Sequence, residues 1–263
     1  MYYHKLKYLI PVIMLFCSCS SGDDNQGGEE LVLLESFVTY YYELESVKLS
    51  SENNYIRIYE SLSGEYYCYD ERNNRSPENY LKYKELRNHY NDTGYHAEIN
   101  LMVNPIPNRF LADIFESVEI VSDTDFDTDH PAGTSLADIS LFYTLTPFYF
   151  IENGYRYFDW DNYSESREVL YHFPRTGNNY GSYLVEGINT LYPVKALASE
   201  LTVEDLSLLG RGKAGVANPT NDDPIAIIDF VKLPEQKGMH IFTVTLKNTD
   251  GKEFSGKVSM LFD

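Results

Sequence analysis

The most regular pattern of apolar and polar positions lies near the C-terminus. Phe242, Val244 and Leu246 alternate with Thr243, Thr245 and Lys247; Asn248-Thr249-Asp250-Gly251 interrupts; then Phe254, Gly256, Val258, Met260 and Phe262 alternate with Ser255, Lys257 and Ser259. A period of two places the apolar set on one strand face, so this segment predicts a two-faced antiparallel hairpin. Ile225 to Val231 predicts a strand before it. Upstream, Tyr55-Ile56-Arg57-Ile58-Tyr59 and Glu65 to Tyr69 flank Ser61-Leu62-Ser63-Gly64, the pattern of a hairpin with a glycine-bearing loop. Strands are also expected from His96 to Val103, around Val118 and Ile120 as far as Ser122, and from Ser140 to Ile151. Glu152-Asn153-Gly154 would turn that last strand into another from Gly154 to Trp160, because Asn and Gly both accept φ > 0. Leu31 to Val47 carries two patterns at once. Leu33, Phe37, Tyr40, Tyr41 and Leu44 fit a helical stripe, whereas Phe37 to Tyr42 has strand propensity, and the strand reading is taken.

Two segments predict helices. Ser76-Pro77-Glu78 supplies a capping serine, a proline at the first helical position and a carboxylate near the positive end of the dipole. Tyr80, Tyr83, Leu86 and Tyr90 then recur at helical spacing until Asn91-Asp92-Thr93-Gly94 ends the run. Leu201 to Leu209, opened by Thr202 and closed by Gly210, reads as a shorter one. The expected fold class is mainly β, an antiparallel β-sandwich with two or so short helices. Residues 31–263 would form one β-rich domain, with 195–220 as the stretch where a subdivision would fall.

Composition agrees with that class. The chain has 263 residues, with 24 Tyr and 14 Phe against a single Trp, and rings of this kind suit half-buried pleated surfaces. A net charge of -19 would repel a phosphate backbone, so no nucleic-acid partner is expected.

The first 30 residues carry the clearest functional information. Lys5 and Lys7 precede an apolar run from Tyr8 to Phe16 broken only by Pro11. That run is too short to span a bilayer, which takes about 20 residues, and reads as an export signal over 1–18. It ends in Leu15-Phe16-Cys17-Ser18-Cys19, which resembles a bacterial lipobox, with Ser18 as the small residue before Cys19. The resemblance implies cleavage before Cys19 and acylation of its thiol. Each buried CH₂ of such a chain contributes about 0.8 kcal/mol, so acyl chains hold a soluble domain on a membrane without a spanning helix. Ser20-Ser21-Gly22-Asp23-Asp24-Asn25 resembles the acidic export tag of surface lipoproteins in Bacteroidetes, which implies an outer-membrane location facing the cell exterior. Residues 19–30 would form a flexible acidic tether by their composition. Processing would leave Cys68 as the one cysteine in the folded part, read as a small buried residue.

Ser122-Asp123-Thr124-Asp125-Phe126-Asp127-Thr128-Asp129-His130-Pro131-Ala132-Gly133, continuing through Asp138, is similar to a segment of an uncharacterised family of Bacteroidetes surface lipoproteins. That similarity brings no catalytic residues with it. The strand from Ile225 with the closing hairpin resembles the final strands of immunoglobulin-like β-sandwiches, over about 40 residues.

Candidate chemistry is sparse. Asp123, Asp125, Asp127 and Asp129 alternate in one loop, and Ca²⁺ takes six to eight oxygens. An EF-hand loop from Asp123 would need Gly and Glu where Thr128 and Thr134 stand, so that motif is rejected. Two readings remain: a non-standard calcium loop, Ca²⁺ being the one cofactor the sequence offers, and a solvated acidic loop whose carboxylates cap turns. His89, His96, His130, His172 and His240 make no zinc-binding pair, and no serine sits in a GxSxG elbow. Paired carboxylates for glycoside hydrolysis occur by chance in a chain with 40 acids. Tyr155-Arg156-Tyr157-Phe158-Asp159-Trp160-Asp161 interleaves rings with polar groups, as glycan sites do, and Tyr155, Tyr157, Trp160 and Asp161 are the candidate ligand-binding residues. The rings of Tyr40 to Tyr42 are read as inter-sheet packing. The expectation is a lipid-anchored surface module without catalytic residues, whose partner is a polysaccharide or, as the alternative, another surface protein. A glycoside hydrolase stands third.

Overall fold

A computed structural model describes residues 31–52, 54–100, 109–146, 148–156, 192–207, 209 and 224–263. Two long strands set its frame. β1 (Leu31–Leu34) leads through a short connection to β2 (Tyr40–Glu52), which pairs antiparallel with β3 (Tyr55–Cys68) from Glu52↔Tyr55 to Tyr40↔Cys68. The chain reverses beside Asn54, whose φ of 69° lies in the left-handed region that asparagine tolerates. The expected turn at Ser61-Leu62-Ser63-Gly64 is therefore corrected: β3 runs straight through it. Gly64 has φ 86°, and the register slips opposite this stretch, from Tyr42↔Tyr66 to Leu44↔Leu62 and then Ser46↔Ser61. Here the glycine marks an irregular strand, where a backbone without Cβ absorbs the slip.

Around this pair stand β4 (Ala97–Asn100), β5 (Arg109–Leu111), β6 (Phe115–Ser122), β7 (Ser140–Thr146), β8 (Tyr192–Leu197), β9 (Ala226–Phe230), β10 (Gly238–Asn248) and β11 (Glu253–Phe262). Among the described residues three sheets result: six strands in the order β5-β2-β3-β9-β7-β8, three in the order β11-β10-β6, and the pair β1-β4. The pairings of these strands are antiparallel except β2 with β5. The protein is a mainly β, antiparallel sandwich with a few short helices.

The C-terminal alternation explains the sandwich. Phe242, Val244 and Leu246 on β10 are fully buried, and Phe254, Met260 and Phe262 on β11 join them against Leu44, Val47, Ile56 and Ile58 of the larger sheet. Burying each such side chain contributes about 1.5–3 kcal/mol. The sheets come close at Gly256, where a Cβ would stand 2.7 Å from Leu49 Cγ. Past the last β2–β5 pair, Tyr42↔Leu111, side chains take up the backbone groups of Leu44. Asp113 Oδ2 accepts the Leu44 N–H at 2.8 Å, and Lys252 Nζ donates to the Leu44 carbonyl at 2.9 Å.

α1 (Pro77–His89) starts where the sequence predicts, the Ser76 hydroxyl accepting the Asn79 N–H at 3.3 Å. α2 (Phe148–Glu152) is a correction, because Ser140 to Ile151 was expected as one strand and only Ser140–Thr146 is. Phe148, Phe150 and Ile151 are buried together beneath α1, and that tertiary burial outweighs their strand propensity. Asn153-Gly154 consequently closes a helix instead of a hairpin: Gly154 N–H donates to Ile151 O at 3.0 Å and Tyr155 N–H to Phe150 O at 2.7 Å, with φ 65° and 62° at the two residues. The strand expected from Gly154 to Trp160 lies beyond Arg156 outside the described residues. α3 (Val203–Ser207) is capped by a reciprocal pair, Asp205 N–H to Thr202 Oγ1 and Thr202 N–H to Asp205 Oδ2. A second core lies under α1, formed by Phe37, Val38, Tyr41, Tyr83, Leu86, Tyr90 and Phe110 with the α2 residues. Among the described residues no helix is long and apolar enough to cross a membrane.

Candidate functional site

β2 and β3 outrun the smaller sheet. β11 covers β2 from Leu44, held by Lys252, to Ser51, whose hydroxyl donates to Ser259 O. Tyr40 and Tyr42 stand beyond that cover, on the face opposite Tyr41, with Tyr66 across the pair from Tyr42. Ring centroids lie 6.0 Å apart for Tyr40–Tyr42, 6.0 Å for Tyr40–Tyr66 and 5.9 Å for Tyr42–Tyr66, and Tyr69 meets Tyr40 edge-on at 6.4 Å. All four rings are half-buried. Reading Tyr40 to Tyr42 as inter-sheet packing is thus corrected: Tyr41 alone is fully buried, in the second core, and its neighbours form a terrace. Burial, reinforced by Cys68 and the surrounding phenols, pushes Tyr40 up to about 12, so its hydroxyl stays a neutral donor and acceptor at ordinary pH.

The terrace runs into a cleft of about 330 Å³. Tyr69 and Tyr80 line its sides and Tyr83 lies deeper, its hydroxyl donating to Val38 O at 2.9 Å. Tyr80 and Tyr83 sit one helical turn apart on α1, their ring planes 8° from parallel. Charged groups complete the lining. The 3₁₀ turn Glu71–Asn73 starts at Asp70, whose Oδ1 accepts both the backbone N–H and the Nε of Arg72 at 3.0 Å, while Oδ2 takes Nη2 at 3.0 Å. This bidentate pairing with Arg72 holds the Asp70 carboxyl below the usual carboxylate range. Arg87 reaches Glu35 at 3.5 Å and donates Nε to the Asp92 carbonyl at 3.0 Å.

Asp92 fastens the cleft from behind. Its carboxylate is fully buried and accepts the Phe37 N–H at 2.8 Å, the Val38 N–H at 2.7 Å and the Tyr155 hydroxyl at 3.1 Å. Burial nevertheless dominates those bonds and raises its pKa. The clamp fixes the connection that carries Glu35 and Ser36 to the cleft. Tyr155, expected at a glycan patch, is used here: its hydroxyl also accepts the Gly94 N–H at 3.0 Å, and its ring packs on Tyr95 and Phe150. Tyr157, Trp160 and Asp161 lie outside the described residues, as do 1–18, Cys19 and the tether. Cys68 is buried, its thiol directed at the Asp70 carbonyl at 3.2 Å.

The acidic loop spends its carboxylates separately. Asp123 Oδ1 accepts the Ile241 N–H at 2.8 Å and Asp125 Oδ1 the Ala132 N–H at 2.8 Å. Asp127 Oδ1 accepts the N–H groups of Asp129 and His130 and the His130 ring Nδ1 at 2.7 Å, while its Oδ2 meets Lys232 Nζ at 2.6 Å. Asp129 is exposed. Lys232 holds the Asp127 carboxyl far below the usual range, against the cost of burial and with help from His130. Burial works against a charged His130, but bonds to Asp127 and, through Nε2 at 3.0 Å, to Asp138 outweigh it and raise its pKa. Phe126, fully buried between Phe230 and Phe242, pins the loop to the sandwich. Among the described residues no group of three or more His, Cys, Asp or Glu converges to hold a metal ion.

The terrace and cleft residues carried a signal in the sequence, the clusters Tyr40-Tyr41-Tyr42 and Tyr66-Tyr67-Cys68-Tyr69, but nothing there said which rings stay near the surface. No protein family, curated protein or solved structure matches the chain.

Proposed function

We propose that the chain is a lipid-anchored module of the outer-membrane surface that captures glycans in the cleft beside α1. The observation that carries this reading is the continuity of the Tyr40–Tyr42–Tyr66–Tyr69 terrace with a cleft holding Tyr80, Asp70 and Arg72. Half-buried rings offer flat apolar faces to sugar rings, and carboxylate and guanidinium groups offer acceptors and donors to hydroxyls. Residues 19–30, fully extended, would span roughly 40 Å, and they lead into β1, whose Leu33 lines the cleft. No catalytic role is proposed, and no Ca²⁺ is needed for the capture.

A glycan array probed with the full chain tests the reading. Binding that falls at least tenfold in Tyr69→Ala and in Tyr80→Ala, with unchanged melting temperature, supports it; absence of binding to every glycan overturns it. Acyl labelling that survives Cys19→Ser unchanged would overturn the anchor.

One observation favours a second reading, a subunit docking on another surface protein. Met239 and Leu261, cross-strand neighbours, and Ile241 are exposed on the outer face of the smaller sheet. Cross-linking on intact cells that captures one partner, lost on Met239→Glu while glycan binding is absent, would establish it instead.

A further inference from the structure

The charges lining the cleft bear on which glycans it accepts, an inference that rests on the glycan-capture reading. Three carboxylates, Glu35, Asp70 and Glu71, face two guanidinium groups, Arg72 and Arg87. Both guanidinium groups already hold anionic or carbonyl oxygens of the protein. Arg72 grips Asp70 through Nε and Nη2, both at 3.0 Å. Arg87 divides itself between Glu35 and the Asp92 carbonyl. A sugar carboxylate or sulfate entering the cleft would approach all three carboxylates and compete with Asp70 and Glu35 for their arginines, in a chain whose net charge is -19. A neutral hydroxyl meets no such conflict. It donates to a carboxylate oxygen and accepts from the neighbouring guanidinium N–H, bridging the pair without breaking it.

We infer that the cleft selects uncharged glycans, and that the Arg72–Asp70 and Arg87–Glu35 pairs are its specificity determinants against uronic-acid and sulfated sugars. Selection here is by repulsion and by competition for the arginines as much as by contact. Removing the carboxylates releases the guanidinium groups for an external anion.

Calorimetric titration of the full chain with a neutral oligosaccharide and with its uronic-acid counterpart of the same linkage and length tests this, the wild type compared with Asp70→Asn/Glu35→Gln. Expected are at least tenfold weaker binding of the acidic sugar by the wild type, and a preference reversed or abolished in the double variant. Equal or tighter binding of the acidic sugar by the wild type overturns the selectivity while leaving glycan capture standing. Binding of neither sugar, across a panel of linkages, overturns capture itself. Asp70→Asn also loosens the turn at Glu71–Asn73, so Glu35→Gln alone serves as the second variant. It keeps that turn intact and must shift the preference in the same direction; an unchanged preference there overturns the role of the Arg87 pair.

Discussion

Phe242, Val244 and Leu246 in the sandwich and Tyr41, Tyr83 and Tyr90 in the second core are all buried, yet burial asks different things of them. The first three bring no polar atom inside, so shape alone has to match. Each tyrosine brings a hydroxyl that needs a partner. Tyr83 finds Val38 O and Tyr90 finds Ser207 O at 3.3 Å; the Tyr41 hydroxyl has none among the described residues. The two regions also bury carboxylates on opposite terms. Asp127 at the rim of the sandwich meets a lysine and a histidine, and its pKa falls; Asp92 behind the cleft meets chiefly neutral donors, and its pKa rises. A fold can therefore hold two buried carboxylates for which acid has opposite consequences.

The largest effect that would test this contrast is expected from Phe126→Ala, which removes a fully buried ring from the sandwich side and should cost about 3–5 kcal/mol in urea unfolding. A loss below about 1 kcal/mol would mean that Phe126 does not anchor the acidic loop. Asp92→Ala comes next, at about 3 kcal/mol, because two backbone N–H groups and the Tyr155 hydroxyl lose their acceptor. It should also weaken glycan binding, since the segment carrying Glu35 comes free.

Acid separates the two carboxylates further. Asp127 has a lowered folded pKa, so its contribution is present above the ordinary carboxylate value of 3.8 and fades as pH falls below it. His130 has a raised one, so its contribution is complete below 6.5 and fades as pH rises through the folded value. The stability lost in Asp127→Asn, followed by thermal melts, should be greatest from about pH 4 to 6.5 and shrink on both sides. Asp92 has the reverse sign: its folded form holds the proton more tightly, so stability falls as pH rises from 3.8 through the folded pKa. Asp92→Asn should therefore flatten that fall, where Asp127→Asn flattens the loss in acid. Smallest of all is Tyr41→Phe, expected to be neutral or stabilising by up to about 1 kcal/mol, because a hydroxyl without a partner among the described residues is removed at almost constant volume. A loss above 1 kcal/mol in chemical denaturation would show that the phenol is satisfied after all.

Much of the architecture was legible locally. The C-terminal hairpin follows from alternation at 242–262, and α1 from Ser76-Pro77 with tyrosines at helical spacing. Two glycines misled for one reason. Gly64 and Gly154 both signal φ > 0, but a positive φ serves a strand irregularity or a helix end as readily as a hairpin. The tyrosine clusters were visible, whereas their division was not, since Tyr40 and Tyr41 differ only in the face they take.

The sequence by itself determined the alternating strands, the α1 cap, the acidic surplus and the stock of rings, because these depend on residue type and on spacing within a few positions. Tertiary structure decided which rings lie near the surface, that Asp92 clamps a connection more than 50 positions away, and that the cleft carboxylates hold its arginines. Those outcomes depend on how far β2 and β3 outrun the smaller sheet and on which backbone groups the register leaves unpaired. Both are set by contacts between distant segments, which no local window contains.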